Sequence, residues 1–438
     1  MNSKKPKQPI VSHDFVFKER GKADVFTSKW SLRYLGMALV LFITSITPSF
    51  GQVSPPSWEQ FIPEKQIIEW RRHMHAHPEL SFQEYETSQY VEDILKTFDH
   101  IEVIRPTETS VLGILKGSKP GKTVAFRADI DGIPVLEDPS LHDFTSKNEG
   151  VSHTCGHDAH TALLLGTAAT LSQLKDEISG TIYFIFQHAE EVPPGGAIDI
   201  VNSGKIDEVD AFFGMHIIPD FPVGHVGILP KIGSTTSDVF ELTILGKGTH
   251  GSMPHLGIDP VVIGAEIVTS IQSHLTRQTP PDETTVVSIG KFQAGEVANV
   301  IPEKAELAAT IRTSSQQTRE LVEKSIKSTI ENTVNSYGAS YELEYQPGYP
   351  AIENDDSLNQ LVRESATKVL GEAQVFDAPA MMASEDFANY RRIAPIAYFI
   401  LGIGDGPANH NPAFNPDEAA FTNGVRVQVQ TLLDYLNQ

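Results

Sequence analysis

Residues 123–131 read Thr-Val-Ala-Phe-Arg-Ala-Asp-Ile-Asp, and residues 181–191 read Thr-Ile-Tyr-Phe-Ile-Phe-Gln-His-Ala-Glu-Glu. Each opens as a nearly unbroken apolar run and closes in acidic residues. Thr161–Leu174, between them, is apolar at helical length. The runs Gly113–Leu115, Ala211–His216 and Ile396–Gly402 are further strands of the same kind. Near-continuous apolar strands alternating with helices specify an α/β fold: a mostly parallel sheet with helices covering both faces. Upstream, apolar residues recur at helical spacing from Glu64 to about Phe98, broken at His77-Pro78.

A differently built segment interrupts this pattern. Phe240–Leu245 alternates as a strand, Pro260–Leu275 is helical, and Thr285–Phe292 and Ala305–Arg312 are strands. Arg319–Tyr337 is helical and Ser340–Tyr345 alternates again. The order βαββαβ predicts a small ferredoxin-like domain, one antiparallel sheet with two helices. The chain therefore divides into catalytic parts at 52–235 and 348–438 and an insert at 236–347, longer in total than one hydrophobic core usually serves. An insert beside a larger domain makes a cleft, where ligands bind.

The N-terminus is of another character. Residues 1–33 hold eight Lys/Arg and three Asp/Glu, and a short apolar run from Tyr34 to Ile43 follows. Ser49-Phe50-Gly51 supplies small residues where a signal peptidase reads. Residues 1–51 thus read as an export signal, to the periplasm or outside the cell, or as an uncleaved membrane anchor. The run is short for a membrane span. The formal net charge is −22, which argues against nucleic acid or an anionic membrane as partner. With a single cysteine the chain has no internal disulfide.

That cysteine lies in His153-Thr-Cys-Gly-His-Asp-Ala-His160. Thiolate and neutral imidazole two residues apart suit a zinc-like divalent ion. The plainer reading is a buried free thiol beside surface histidines. What favours a metal is placement, because in open parallel sheets ligands sit beyond the carboxyl ends of the strands. Asp129-Ile130-Asp131, His188-Ala189-Glu190-Glu191, His216 and Asn409-His410-Asn411 all follow strand runs. Of two adjacent glutamates, one can ligate metal while the other takes a proton from water. Asp129 and Asp131 suit turn caps, and Asp129 also suits orienting a ligand histidine. His73, His75 and His77 read as mostly structural. Ser384-Glu385-Asp386 reads as a serine-capped helix start or as a pocket lining. The glycine-rich loop Gly246–His255 lacks a P-loop pattern; its histidine could swing over the site to bond a developing oxyanion. Asn299 and Arg312 are candidate substrate contacts, Arg312 because arginine pairs bidentately with carboxylate.

Together these motifs resemble the metal-dependent aminoacylase and carboxypeptidase family, in the branch of hippurate, N-acyl-amino-acid and auxin–amino acid conjugate hydrolases. The resemblance runs from about Gln66 to Leu433, through Arg71–Leu80, Arg127–Asp131, the Cys155 motif, Phe186–Glu191, Gly214–His216, Gly248–His255, Asn299–Pro302, Ser384–Phe387 and His410–Pro412. It implies a site for two divalent metal ions, zinc foremost with Mn, Co or Ni tolerated, on Cys155, His157, Glu191, His216 and His410. It implies Glu190 as general base and His250 as oxyanion stabiliser, reaching the site across a homodimer formed by the insert. The implied reaction is hydrolysis of the amide of an N-acyl amino acid or peptide-like substrate. The alternatives are dipeptidase or carboxypeptidase action, and a non-catalytic binder on the same scaffold. Two departures from the family pattern are His188, where many members have proline, and the loop Val192-Pro193-Pro194.

Overall fold

A computed structural model describes residues 56–140 and 144–438; the segment read as an export signal, residues 1–51, lies outside them. The described residues make one compact unit. The strands are β1 (Ile101–Ile104), β2 (Val111–Lys116), β3 (Lys119–Asp129), β4 (Ser179–Gln187), β5 (Ala211–Ile218), β6 (Val226–Ile228), β7 (Asp238–Leu245), β8 (Thr249–His250), β9 (Thr285–Ala294), β10 (Val300–Ile301), β11 (Lys304–Thr313), β12 (Ser340–Pro347), β13 (Val375–Asp377) and β14 (Ile396–Gly402). The α-helices are α1 (Glu64–Ala76), α2 (Tyr85–Leu95), α3 (His157–Ser172), α4 (Gly196–Asn202), α5 (Pro260–Gln278), α6 (Gln316–Ser336), α7 (Asp356–Leu370) and α8 (Phe421–Leu436).

Eight strands form the large sheet in the order β1-β2-β4-β3-β5-β14-β6-β13. Its centre, β4-β3-β5-β14, is parallel, and antiparallel pairs flank it. The unbroken apolar runs have the cause expected: successive residues serve opposite cores. Val124, Phe126, Phe184 and Phe213 pack on one side with α1, α3 and α8 residues such as Ile67, Leu163 and Val425. Ala125, Ile185, Phe212 and Tyr398 pack on the other with Ile200 of α4 and Phe387. Helix α3 is buried almost all round, as a helix wedged between a sheet and two other helices must be.

The second sheet has the order β12-β7-β11-β9, every neighbour antiparallel. Here β7 alternates buried and exposed residues, because α5 and α6 cover one face only. This is the βαββαβ arrangement expected, hung between β6 and α7. The strand expected at Ile396–Gly402 is β14 to the residue. Helix α3 begins four residues before its expected start, since its first turn carries site residues rather than apolar ones. Helices α7 and α8 and the short strands β1, β6, β8, β10 and β13 add to the elements expected.

Candidate metal centre

The site lies beyond the carboxyl ends of the parallel strands. Cys155 sits in the tight turn that enters α3. Gly156 there has φ 101°, and a Cβ on it would lie 2.5 Å from Ile217 Cδ1, so only glycine lets the thiol and His157 face the same space. His157 is the first residue of α3, His216 lies near the end of β5, and Glu191 follows β4. His410 comes from the loop after β14. Its backbone N–H donates to Thr154 O at 2.7 Å, and Asn409 Nδ2 donates to Cys155 O at 2.8 Å, tying that loop to the cysteine turn.

Donor atoms of Cys155, His157 and His216 lie within 4.8 Å of one another, and so do those of Cys155, Glu191 and His410. Cys155 belongs to both groups, so its sulfur would be a donor to a metal held by either. The two imidazoles that face the sulfur carry their protons away from it. His157 Nδ1 is 2.9 Å from Asp131 O and 3.1 Å from Asp131 Oδ1, and only an N–H satisfies two acceptors. His216 Nδ1 donates to Ile217 O at 2.7 Å, leaving the Nε2 lone pair 3.5 Å from Cys155 Sγ. Carbonyl or carboxylate acceptors on the far nitrogen fix a ligand imidazole's tautomer in this way. His160 is different: Nδ1 donates to Asp129 Oδ1 at 2.7 Å and Nε2 accepts from Ile217 N–H at 3.0 Å, so it has no lone pair left for a metal.

The electrostatics ask for cations. Burial, then Glu191, Glu190 and Asp129, push the Cys155 thiol well above its ordinary range. Burial opposes the charging of His157, but Asp129, Asp131 and Glu191 outweigh it and lift the imidazole to about 10. Burial, with His160 and His157 nearby, keeps His216 neutral far below the usual histidine range. The nearby Glu191 carboxylate, favouring a proton on the imidazole, raises His410. His157 Nε2 and Glu191 Oε1 are buried without a hydrogen-bond partner, 3.8 Å apart, although His410 Nε2 approaches Glu191 Oε1 to 3.1 Å without forming a well-aligned bond. Orphaned donors, a protonated thiol and a surplus of carboxylate fit divalent metal binding, and thiolate, imidazole and carboxylate together suit zinc, manganese, cobalt or nickel.

Glu190 stands between the donors and a second acidic group. It is 7% exposed and its carboxylate groups with Glu385 and Asp386 as well as with His157 and Glu191. Burial, then the charges of Glu385, Glu191 and Asp386, raise its proton affinity well above the carboxylate norm. Two of these, Glu385 and Asp386, are anchored by buried Arg127, which reaches Asp386 Oδ1 at 2.8 Å and Glu385 Oε1 at 3.1 Å, and also Asp129 Oδ2 at 2.6 Å and Gln187 Oε1 at 2.8 Å.

Some expectations need correction. Asp131, not Asp129, orients the candidate ligand His157, while Asp129 holds Arg127 and His160; neither caps a turn in place of these bonds. Glu385, not Ser384, caps the short helix at Asp386–Arg392, its carboxylate accepting from Phe387 N–H at 3.0 Å. His75 is structural as expected, held 2.8 Å from both Asp158 and Glu137. Within one chain His250, Asn299 and Arg312 are not brought to the cluster; the reach expected of His250 is across a dimer, which a single chain does not test. His250 is exposed, its Nδ1 accepting from the backbone N–H and hydroxyl of Ser252. Asn299 is exposed beside it, and Arg312 lies on the uncovered face of β11. Among the described residues none of the three bonds to the cluster. Glu84 and Tyr349 bind the loop carrying Glu190 and carry no periodicity or motif signal that would have singled them out.

A buried thiol–imidazole–carboxylate cluster at the carboxyl edge of an α/β sheet, with a further glutamate beside it, defines a metal-dependent hydrolase. Residues 125–434 match peptidase family M20/M25/M40, and the chain belongs to that family. It is 46% identical over 290 residues to an N-acyl-L-amino acid amidohydrolase of Geobacillus stearothermophilus, covering 66% of this chain and 78% of that one. It is 38% identical over 358 residues to an N-acetylcysteine deacetylase of Bacillus subtilis, covering 81% of this chain and 93% of that one. A solved dinuclear metal-binding M20 peptidase of B. subtilis superposes with a TM-score of 0.75 at 35% identity, covering 85% of this chain and 98% of that one. The family and fold expected from the motifs are those found, and the chain is a metal-dependent hydrolytic enzyme acting on amides.

Proposed function

We propose that this enzyme cleaves the amide bond of N-acyl amino acids, with Cys155, His157, Glu191, His216 and His410 holding two divalent ions, zinc foremost. When bound, such ions supply Lewis acidity that polarises the scissile carbonyl and makes water acidic. Glu190 is the proton carrier. Its raised proton affinity lets it take a proton from the attacking water and return it to the leaving amine. Asp131 and the Ile217 carbonyl keep the lone pairs of His157 and His216 aimed inward. The observation that carries this reading is the position of Glu190, buried against the donor cluster and bonded to none of it through its own carboxylate network. The relatives named above support the substrate class.

The insert is read as a dimerisation domain. Its edge strand β9 has neighbours on one side only, and Val286 and Phe292 on it are exposed. A second copy added there would bring another chain's His250 and Asn299 into play. Residues 1–51 are read as an export signal or anchor. Among the described residues no helix is long and apolar enough to cross a membrane. The deciding experiment is a panel of N-acyl amino acids and unblocked dipeptides with metal-reconstituted protein. Faster turnover of the acylated compounds, abolished by chelation, is expected; cleavage of dipeptides alone, or cleavage that survives chelation, would overturn the proposal.

A further inference from the structure

The elbow after β4 must send two neighbouring glutamates to different tasks. Its backbone is unusual: Ala189 has φ 50°, a left-handed conformation that is unfavourable for a residue with a Cβ. Such a conformation persists only where its surroundings impose it. Four polar backbone groups of the elbow are gripped. Ala189 N–H donates to Glu84 Oε1 at 2.7 Å, and Ala189 C=O accepts from Gly196 N–H at 3.0 Å. Glu190 C=O accepts from the Tyr349 hydroxyl at 2.7 Å, and Glu191 N–H donates to Asp131 Oδ2 at 3.1 Å.

Asp131 has a second task on His157. Glu84 and Tyr349 bond to none of the metal donors. Glu84 stands at the start of α2, yet its side chain does not cap that helix; it turns inward, fully buried, to Phe82 N–H at 3.0 Å and Ala189 N–H. Tyr349 lies where the chain returns from the insert. Its backbone exchanges hydrogen bonds with Ser237, where the chain departs, at 3.1 and 3.2 Å. One phenol thus links both crossings to the peptide of Glu190.

We propose that Glu84 and Tyr349 are positioning residues for the reaction, clamping the 189–190 peptides so that the Glu190 carboxylate keeps its place beside the donor cluster, while Glu191 is held separately through its N–H on Asp131. This rests on the reading of Glu190 as proton carrier. The clamp acts on the backbone, so losing it should leave substrate and metal binding in place and misplace only the base. A displacement of about 1 Å is enough to cost about a hundredfold in rate.

The test compares Tyr349→Phe, which deletes one oxygen, with Glu84→Ala and the conservative Glu84→Gln, whose amide oxygen can still accept from Ala189. In metal-loaded protein acting on an N-acyl amino acid, Tyr349→Phe and Glu84→Ala should lower kcat between about ten- and a hundredfold. KM and bound metal should stay within about twofold of wild type, and Glu84→Gln should retain most activity. In metal-free protein, hydrogen–deuterium exchange at the Ala189 amide should quicken in Glu84→Ala and not in Glu84→Gln. Unchanged kcat in Tyr349→Phe, or unchanged exchange at Ala189 in Glu84→Ala, overturns the clamp. If the wild-type protein leaves N-acyl amino acids intact, the substrate reading falls and the exchange measurement alone judges the clamp.

Discussion

The sulfur of Cys155 lies 3.5 Å from Nε2 of His216, and it shares a second donor group with Glu191 and His410. One atom serving two groups makes the cysteine indispensable to both. Cys155→Ala should therefore deplete both ions, whereas His410→Ala should remove about one. Metal analysis by mass spectrometry after dialysis distinguishes the two; equal loss from either change would contradict a shared sulfur.

Replacing Glu190 by Gln keeps the shape and removes the basic oxygen. Turnover should fall by about 10² to 10⁴. Metal content should hold, because Glu190 is not among the proposed ligands. Steady-state kinetics with metal analysis on the same sample checks both halves, and near-normal turnover would remove Glu190 from the chemistry.

The cation-seeking field around His157 predicts the pH dependence of metal binding. In metal-free protein the imidazole keeps its proton up to about pH 10. Below that pH a cation must displace the proton, and the Cys155 thiol must also lose its own. Metal affinity should thus climb with pH through the neutral range, by about one log unit per pH unit for each proton released. Chelator competition between pH 6.5 and 8.5 measures the slope; a flat line would mean the donors are already deprotonated.

Arg127 is buried among Asp129, Glu385 and Asp386. Arg127→Met would strand these carboxylates without a counter-charge, and removing one partner of a buried ion network costs about 3–5 kcal/mol. Urea unfolding should show a loss of that order. A loss under about 1 kcal/mol would show that the carboxylates share protons rather than rely on the guanidinium.

Burial, with Asp131 nearby, pushes the Glu84 carboxyl from 4.5 up to about 7, against the help of three backbone N–H groups. The folded protein therefore holds this proton up to about pH 7, while the unfolded chain gives it up near 4.5. The unfolded state binds fewer protons in that window, so this group's contribution favours folding at low pH and is withdrawn as pH rises, by up to about 3 kcal/mol. Glu84→Gln has no proton to lose. Its stability relative to wild type should improve between pH 5 and pH 8, read from unfolding of the metal-free proteins.

Much of this was legible in the residues. Unbroken apolar strands ending in Asp129, Gln187 and His216 announce a doubly covered parallel sheet, and their ends announce where the chemistry lies. The alternation of β7 announces a sheet with one uncovered face. What escaped the sequence is what depends on long-range approach. Asp129 and Asp131 are two residues apart and of one type, and only packing decides that the second meets His157. Glu84 looks like a helix-capping acid until the elbow, 105 residues later, is folded against it. The catalytic oxyanion contact proposed for His250 depends on a second chain and has no signature in one.

Strand β14, drawn from residues 396–402, is threaded between β5 and β6. A chain emerging from the ribosome therefore carries an open apolar edge on β5 until residues 396–402 have been made. His410 arrives later still. The growing polypeptide would lack one proposed donor until then, and the β5 edge needs shielding from aggregation while residues 219–395 are made.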